Sequence, residues 1–425
     1  MMSSRTTRRS FLTGVGVLSA TAAVATAASC ANGGGTDGDG TDNSGADGAG
    51  GTGTGGIGDT GTVTFDGPHQ AGITTPLQSH NTTVAFTLRD GVDADGARRL
   101  LRLWTDDARR LCTGGTVLAD LEPELSETTG NLTVTCGFGA SFFNRTKIGN
   151  RPDWLEPLPK FTGDRLDNTW GERDIVLQIC GDDRTTVSHA VRVLVRGGAD
   201  YARPSWSQEG FLDIPLDTDG QQGTPRNLFG FKDGTVNPDT EDEQDEHVWI
   251  GEGPLAGGTC MVIRRIAFDM PEWEAADRIT REVSMGRTIV EGAPIGGEKE
   301  FDEPDFEAFG DDGLPVIDTN SHIALATATG HEDTDPLLRR AYNYDLPVTV
   351  SGADDLVDAP LMDLSDTGLI FTCFQRDPRR SFIPMQRRLA EGDRLNEWIV
   401  HVGSAVFYVP PGTDEDGFWG EELFD

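Results

Sequence analysis

Asp233 stands in the run Asn227-Leu228-Phe229-Gly230-Phe231-Lys232-Asp233-Gly234-Thr235-Val236-Asn237, between two glycines and beside two phenylalanines. Glycine opens backbone geometries closed to other residues and allows close approach to a ligand. Aromatic neighbours lower the dielectric around the carboxyl and so bear on its protonation. This is how a protein holds a proton-transferring acid against a flat apolar ligand, although an ordinary Asp-Gly turn would have the same five central residues. His322, polar residues before it and Ile323-Ala324-Leu325 after it, suits a neutral imidazole bonded through one nitrogen to a metal. His331, among Glu332 and Asp333, is its competitor. Arg339 carries a guanidinium that stays charged at any relevant pH and can donate two hydrogen bonds. Arg340 reads as a surface arginine at a helix start. His69 and His80 precede the first expected strand and are not expected to be held rigidly, and His189, His247 and His401 read as structural or surface residues.

Further blocks follow in order: Leu132-Thr133-Val134-Thr135-Cys136-Gly137-Phe138-Gly139, Asp174-Ile175-Val176-Leu177-Gln178-Ile179-Cys180, Gly286-Arg287-Thr288, Ser321-His322-Ile323 and Leu338-Arg339-Arg340-Ala341-Tyr342. With Gly230-Phe231-Lys232-Asp233-Gly234 they resemble the dye-decolorizing (DyP-type) haem peroxidases, in particular the exported deferrochelatase/peroxidase branch. The resemblance covers the chain from roughly residue 60 onward, a length that suits a two-lobed enzyme. It implies one haem b per chain, with His322 as the proximal iron ligand, Asp233 as the distal acid and base, and Arg339 as the cation that polarises the leaving oxygen. It also implies hydrogen peroxide and organic electron donors as substrates, or haem itself if iron release is the activity, and self-association in some relatives. A non-catalytic haem carrier would need His322 alone. Asp377 is expected either to accept from the second nitrogen of His322 or to cap the helix after Pro378. Relatives often carry arginine two residues after the proximal histidine and Asn-Pro-Arg further on; here stand Ala324 and Thr327-Ala328-Thr329. Anchoring of the haem propionates is therefore expected from the amides of Gly234, Thr235 and Val236, or from Arg287. A carboxyl with the reference pKa of about 3.9 works as a base better in mild acid than at neutrality, so an acidic optimum is expected.

Two runs of elements with one plan must position these side chains. Residues 81–90 alternate as a strand, and Ala97, Leu100, Leu101, Trp104, Ala108 and Leu111 then recur at helical spacing. Strands near 131–138 and 174–180 precede a helix near 183–197. The second half offers a strand at 261–268, a helix at 272–285, a strand at 368–375, a helix near 381–389 and a last strand at 405–409. This order predicts an α+β protein of two ferredoxin-like domains, residues 63–225 and 226–425, each an antiparallel sheet with helices on one face, the dimeric α+β barrel type that the resemblance also implies. Residues 292–320 are expected to form a long extended loop.

The 425 residues include 35 basic and 70 acidic ones, for a formal charge of −35. That balance excludes nucleic acid as a partner and argues against an anionic membrane surface. It suits a surface kept soluble at high salt, hence a halophilic source. Thr7-Arg8-Arg9-Ser10-Phe11-Leu12 heads a small-residue apolar run to Ala28, so residues 1–30 read as a twin-arginine export signal. Ala27-Ala28-Ser29-Cys30 resembles a lipoprotein processing site, with Cys30 as lipid anchor and simple cleavage as the alternative. Residues 31–62, rich in Gly, Asp and Thr, read as a disordered linker. The expected location is the extracellular or periplasmic face of the membrane. Cys136, Cys180 and Cys373 lie in apolar strand-like runs and read as buried small hydrophobes.

Overall fold

The computed structural model of the chain describes residues 61–327, 334–347 and 365–424. The export signal, Cys30, nearly all of the linker and His331 lie outside these residues. The first half contains β1 (His80–Leu88), α1 (Ala94–Thr113), β2 (Thr133–Phe138), α2 (Ala140–Thr146), β3 (Ile175–Gly181), α3 (Arg184–Gly197) and β4 (Ala202–Phe211). The second contains α4 (Glu241–His247), β5 (Thr259–Phe268), α5 (Met270–Ala275), α6 (Arg278–Met285), α7 (His322–Ala326), β6 (Leu338–Arg339), β7 (Tyr342–Pro347), β8 (Ser365–Gln375), α8 (Phe382–Gly392) and β9 (Ile399–Val409). Helix α1 shows why the sequence folds this way. Its buried residues, Leu100, Leu101, Trp104, Ala108 and Leu111 among them, share one face, the Asp93 side chain accepts from the Gly96 N–H at its start, and Gly114 ends it in the left-handed region.

The nine strands among the described residues run β5-β9-β2-β3-β1-β4-β7-β8-β6, and β5 also pairs with β8, so all but the short β6 close into an antiparallel ring. The two halves meet in that ring at thin seams. Only Phe138 and Tyr408 pair between β2 and β9, and only Phe211 and Asn343 between β4 and β7. Beside the first seam the Glu172 carboxylate accepts from the Val406 N–H at 3.1 Å, replacing a ladder partner. Inward-facing Met261, Ile263, Tyr342, Phe374 and Phe407 pack with Ala85, Val176 and Trp206 as one core cluster. Outward-facing residues of the first half, such as Val84, Val134 and Leu177, are buried with α1 and α3. Cys136, Cys180 and Cys373 are buried free thiols, as expected.

Several expectations need correction. The helix expected at 272–285 is two helices, because Ala276 is extended and the Asp277 side chain starts a new one by accepting from the Thr280 N–H. Leu338-Arg339 is a strand paired with Cys373 and Phe374, not a helix start. Arg340 is buried rather than at the surface, its guanidinium donating to the Thr75 and Pro76 carbonyls at 2.6 and 3.1 Å. His69 and His80 are held after all: His69 stacks on Trp249 at 3.7 Å and bonds the Gly257 carbonyl at 2.8 Å, while His80 opens β1, paired with Gly181 and Phe211. Residues 292–320 contain turns and an isolated bridge, as a long loop should.

Candidate functional site

Asp233 is presented by a tight reversal in which Arg226 and Lys232 form a bridge. The Gly230 N–H donates to the Asn227 carbonyl at 2.9 Å, and Gly230 has φ +90, which glycine supplies without strain. Asn343 of β7 pins this reversal to the barrel, accepting from the Leu228 N–H at 3.2 Å and donating to the Arg226 carbonyl at 2.9 Å. The run continues to Asn237, whose side chain accepts from the Arg339 N–H and donates to the Arg339 carbonyl, both at 3.0 Å. That reciprocal pair docks β6 beside the Asp233 segment. The Arg339 guanidinium consequently lies 3.5 Å from the Asp233 carboxylate, both side chains being partly exposed. Both phenylalanines are buried in the Trp273 and Trp398 cluster, and of the two Phe229 also lines the cavity described below.

His322 is the first residue of α7. Gly286 makes room for this helix: φ is +84 there, and a Cβ would stand 2.6 Å from Ile323. The His322 Nδ1 is bonded at 2.7 Å to the carboxylate of Asp393, which follows α8 and is buried. Asp377 does not fill that role. It pairs with Arg379 at 2.6 Å and accepts from the Arg379 N–H, closing the turn before α8. Asp393 gave no such signal in sequence because its other oxygen caps the 3-10 turn that follows, accepting from the Leu395 N–H at 2.9 Å. Burial disfavours the His322 imidazolium, but the charge and hydrogen bond of Asp393 outweigh it and raise the pKa above the usual value.

Asp233, Arg339 and His322 line one cavity of about 470 Å³, together with Thr235, Val236 and Arg287. Gly234 is not part of its wall. Its floor is the outer face of the second-half sheet, where Ile266, Phe268, Leu369, Phe371 and Ile399 point away from the barrel interior, and Phe382, Met385 and Leu389 of α8 add a further apolar wall. His401 of β9 also faces it, so that histidine is no surface residue: burial and then the charge of Arg264 press its pKa down to about 3. Arg287 is nearly buried, with Nη1 donating to the Gly292 and Glu300 carbonyls at 2.7 and 2.8 Å. The donor set fits a haem: an imidazole whose Nδ1 is fixed by a carboxylate while no described residue takes its Nε2, apolar walls for a macrocycle, and a cation for its carboxylates. A wider groove of about 920 Å³ along α3 contains none of these groups.

Known proteins resemble the chain along most of its length. Residues 70–212 match the family model "Dyp-type peroxidase, N-terminal" and residues 224–414 the model "Dyp-type peroxidase, C-terminal". The chain is 33% identical over 381 residues to a deferrochelatase of Escherichia coli strain K12, covering 84% of this chain and 86% of that protein. It is 44% identical to a DyP-type peroxidase from Cellulomonas bogoriensis of known structure, with a TM-score of 0.78 over 86% of this chain and 99% of the other. Ferric DtpA from Streptomyces lividans is 35% identical, with a TM-score of 0.79 over 86% and 97% of the two chains.

Proposed function

The chain belongs to the Dyp-type peroxidase family, and on that premise we propose how its residues divide the work of a haem-dependent peroxidase. Bound haem b, one per chain, supplies the iron that activates hydrogen peroxide. His322 is its protein ligand through Nε2, and Asp393 keeps the proton on Nδ1 and makes the imidazole a stronger donor. Asp233 takes the proton from the near oxygen of peroxide and returns it to the far one, and Arg339 stabilises the charge that develops on the departing oxygen. Arg287, Thr235 and Val236, which line the same cavity, would hold the cofactor's carboxylates. Organic donors, dyes and phenols or porphyrinogens among them, would be the reductants, each supplying one electron.

The observation that carries this reading is the meeting of Asp233, Arg339 and His322 on one apolar cavity. Its test is the absorption spectrum of the purified protein and of two variants. His322→Ala should lose the Soret band, and Asp233→Asn should keep it while reacting with peroxide about 100-fold or more slowly. A full Soret band in His322→Ala would sink the ligand assignment.

The curated relatives named deferrochelatase favour a second reading, release of iron from haem with the porphyrin left whole. Incubation with haem, followed by emission of metal-free porphyrin, separates the two. The sequence features at Arg8, Arg9 and Cys30 support export by the twin-arginine route and a lipid anchor on the outer face of the membrane.

A further inference from the structure

We propose that Glu300 is a positioning residue for the peroxide reaction, its side chain clamping the two residues around Asp233 and so fixing where that carboxylate points. This rests on the role given to Asp233 above. Glu300 comes from the 292–320 loop and is only 8% exposed. One of its carboxylate oxygens takes the Lys232 ammonium, and the other accepts from the Thr235 hydroxyl at 3.0 Å. Lys232 directly precedes Asp233, and Thr235 follows it with only Gly234 between. Gly234, at φ +123, leaves the backbone free to swivel, so the turn alone does not fix the acid.

The direct contacts of Asp233 are too weak to do so either. Its N–H donates to the Pro225 carbonyl at 2.9 Å, but its carboxylate lies 3.5 Å from both Asn227 Nδ2 and Arg339 Nη1, at the limit of hydrogen bonding. The Glu300 clamp is better built. The loop backbone packs onto the lysine stem so closely that a Cβ on Gly292 would stand 2.8 Å from Lys232 Cδ. Burial pushes the Glu300 carboxyl up, yet hydrogen bonds from Lys232, Thr224 and Thr235 outweigh it and hold the pKa below the usual range. The carboxylate therefore stays ionised in mild acid. The Glu300 carbonyl meanwhile accepts from Arg287 at 2.8 Å, so one residue ties the distal acid to the cationic wall.

A displacement of a reacting group by about 1 Å costs on the order of 100-fold in rate. The haem-loaded Glu300→Ala variant should accordingly react with hydrogen peroxide roughly 10 to 100-fold more slowly in stopped flow. Cyanide, which must lose its proton as it binds, should associate more slowly by a similar factor, a readout independent of turnover. Glu300→Gln keeps an acceptor for Thr235 and should fall between Glu300→Ala and the parent. In an Asp233→Asn background Glu300→Ala should cause no further loss, since no carboxylate remains to be positioned. Thr235→Val removes one arm of the clamp without leaving a charge buried, and serves if Glu300→Ala does not fold; it should slow both reactions severalfold. Parent-like rates in these variants, or the same loss again in the Asp233→Asn background, would overturn the proposal. If Asp233→Asn itself reacts at the parent rate, the role of Asp233 falls and the clamp with it; a slow Asp233→Asn beside an unimpaired Glu300→Ala removes the clamp alone.

Discussion

In the proposed site a single carboxylate would set how strongly His322 holds iron. Asp393 is buried, and its two oxygens serve two partners, the imidazole at 2.7 Å and the Leu395 N–H at 2.9 Å. Partners of this kind typically contribute 10 to 100-fold in metal affinity. Asp393→Asn, which keeps one acceptor oxygen, loses the charge and puts an amide donor where the second oxygen stood, should weaken haem binding by about 10-fold, and Asp393→Ala by about 100-fold, in an absorbance titration of the cofactor-free protein. Affinities equal to the parent's would remove Asp393 from the site. Sequence alone displayed Asp233, Arg339 and His322 because each sits in a block with its own spacing and neighbours. Asp393 and Glu300 were hidden for the opposite reason. Each reads as an ordinary acidic residue of a cap or loop, and only the fold brings it 71 or 65 residues back along the chain to its partner.

At the scale of elements, periodicity marked most strands and helices to within a few residues, because apolar alternation and helical spacing are local properties. It failed where a tertiary partner overrides the local pattern. Strand β9 begins at Ile399, well before the apolar run at 405–409, since a bulge at Val402 turns its early residues to different surroundings: His401 to the cavity, and Gly403 to a close contact with Trp170. The helix expected at 272–285 breaks at a capping aspartate that could equally have sat on a solvent face. The placement of His401 on β9 has a measurable consequence. Its unfolded value is 6.5 and its folded value about 3. The unfolded chain therefore takes up a proton first, so this contribution to stability is complete above pH 6.5 and is lost as pH falls toward 3. The loss is roughly 5 kcal/mol at most. His401→Leu should flatten denaturant-measured stability over that interval, and an unchanged acid slope would contradict the assignment.

For the whole molecule, the governing quantity is charge. With 70 acidic against 35 basic residues, self-repulsion opposes compactness at low ionic strength. Screening shortens to about 3 Å at 1 M salt. The melting temperature should therefore rise between about 0.1 and 1 M potassium chloride, and a flat or falling curve would argue against a surface adapted to salt. The order of the closed ring bears on how such an enzyme is made. The strand that lies between β5 and β2 is β9, the last of the described strands to be synthesised, and it supplies Ile399 and His401 to the cavity wall. A ribosome must thus translate nearly to residue 409 before the cavity has all its sides. Capture of the proposed haem in this cavity would therefore wait for β9, after every other described strand has been made.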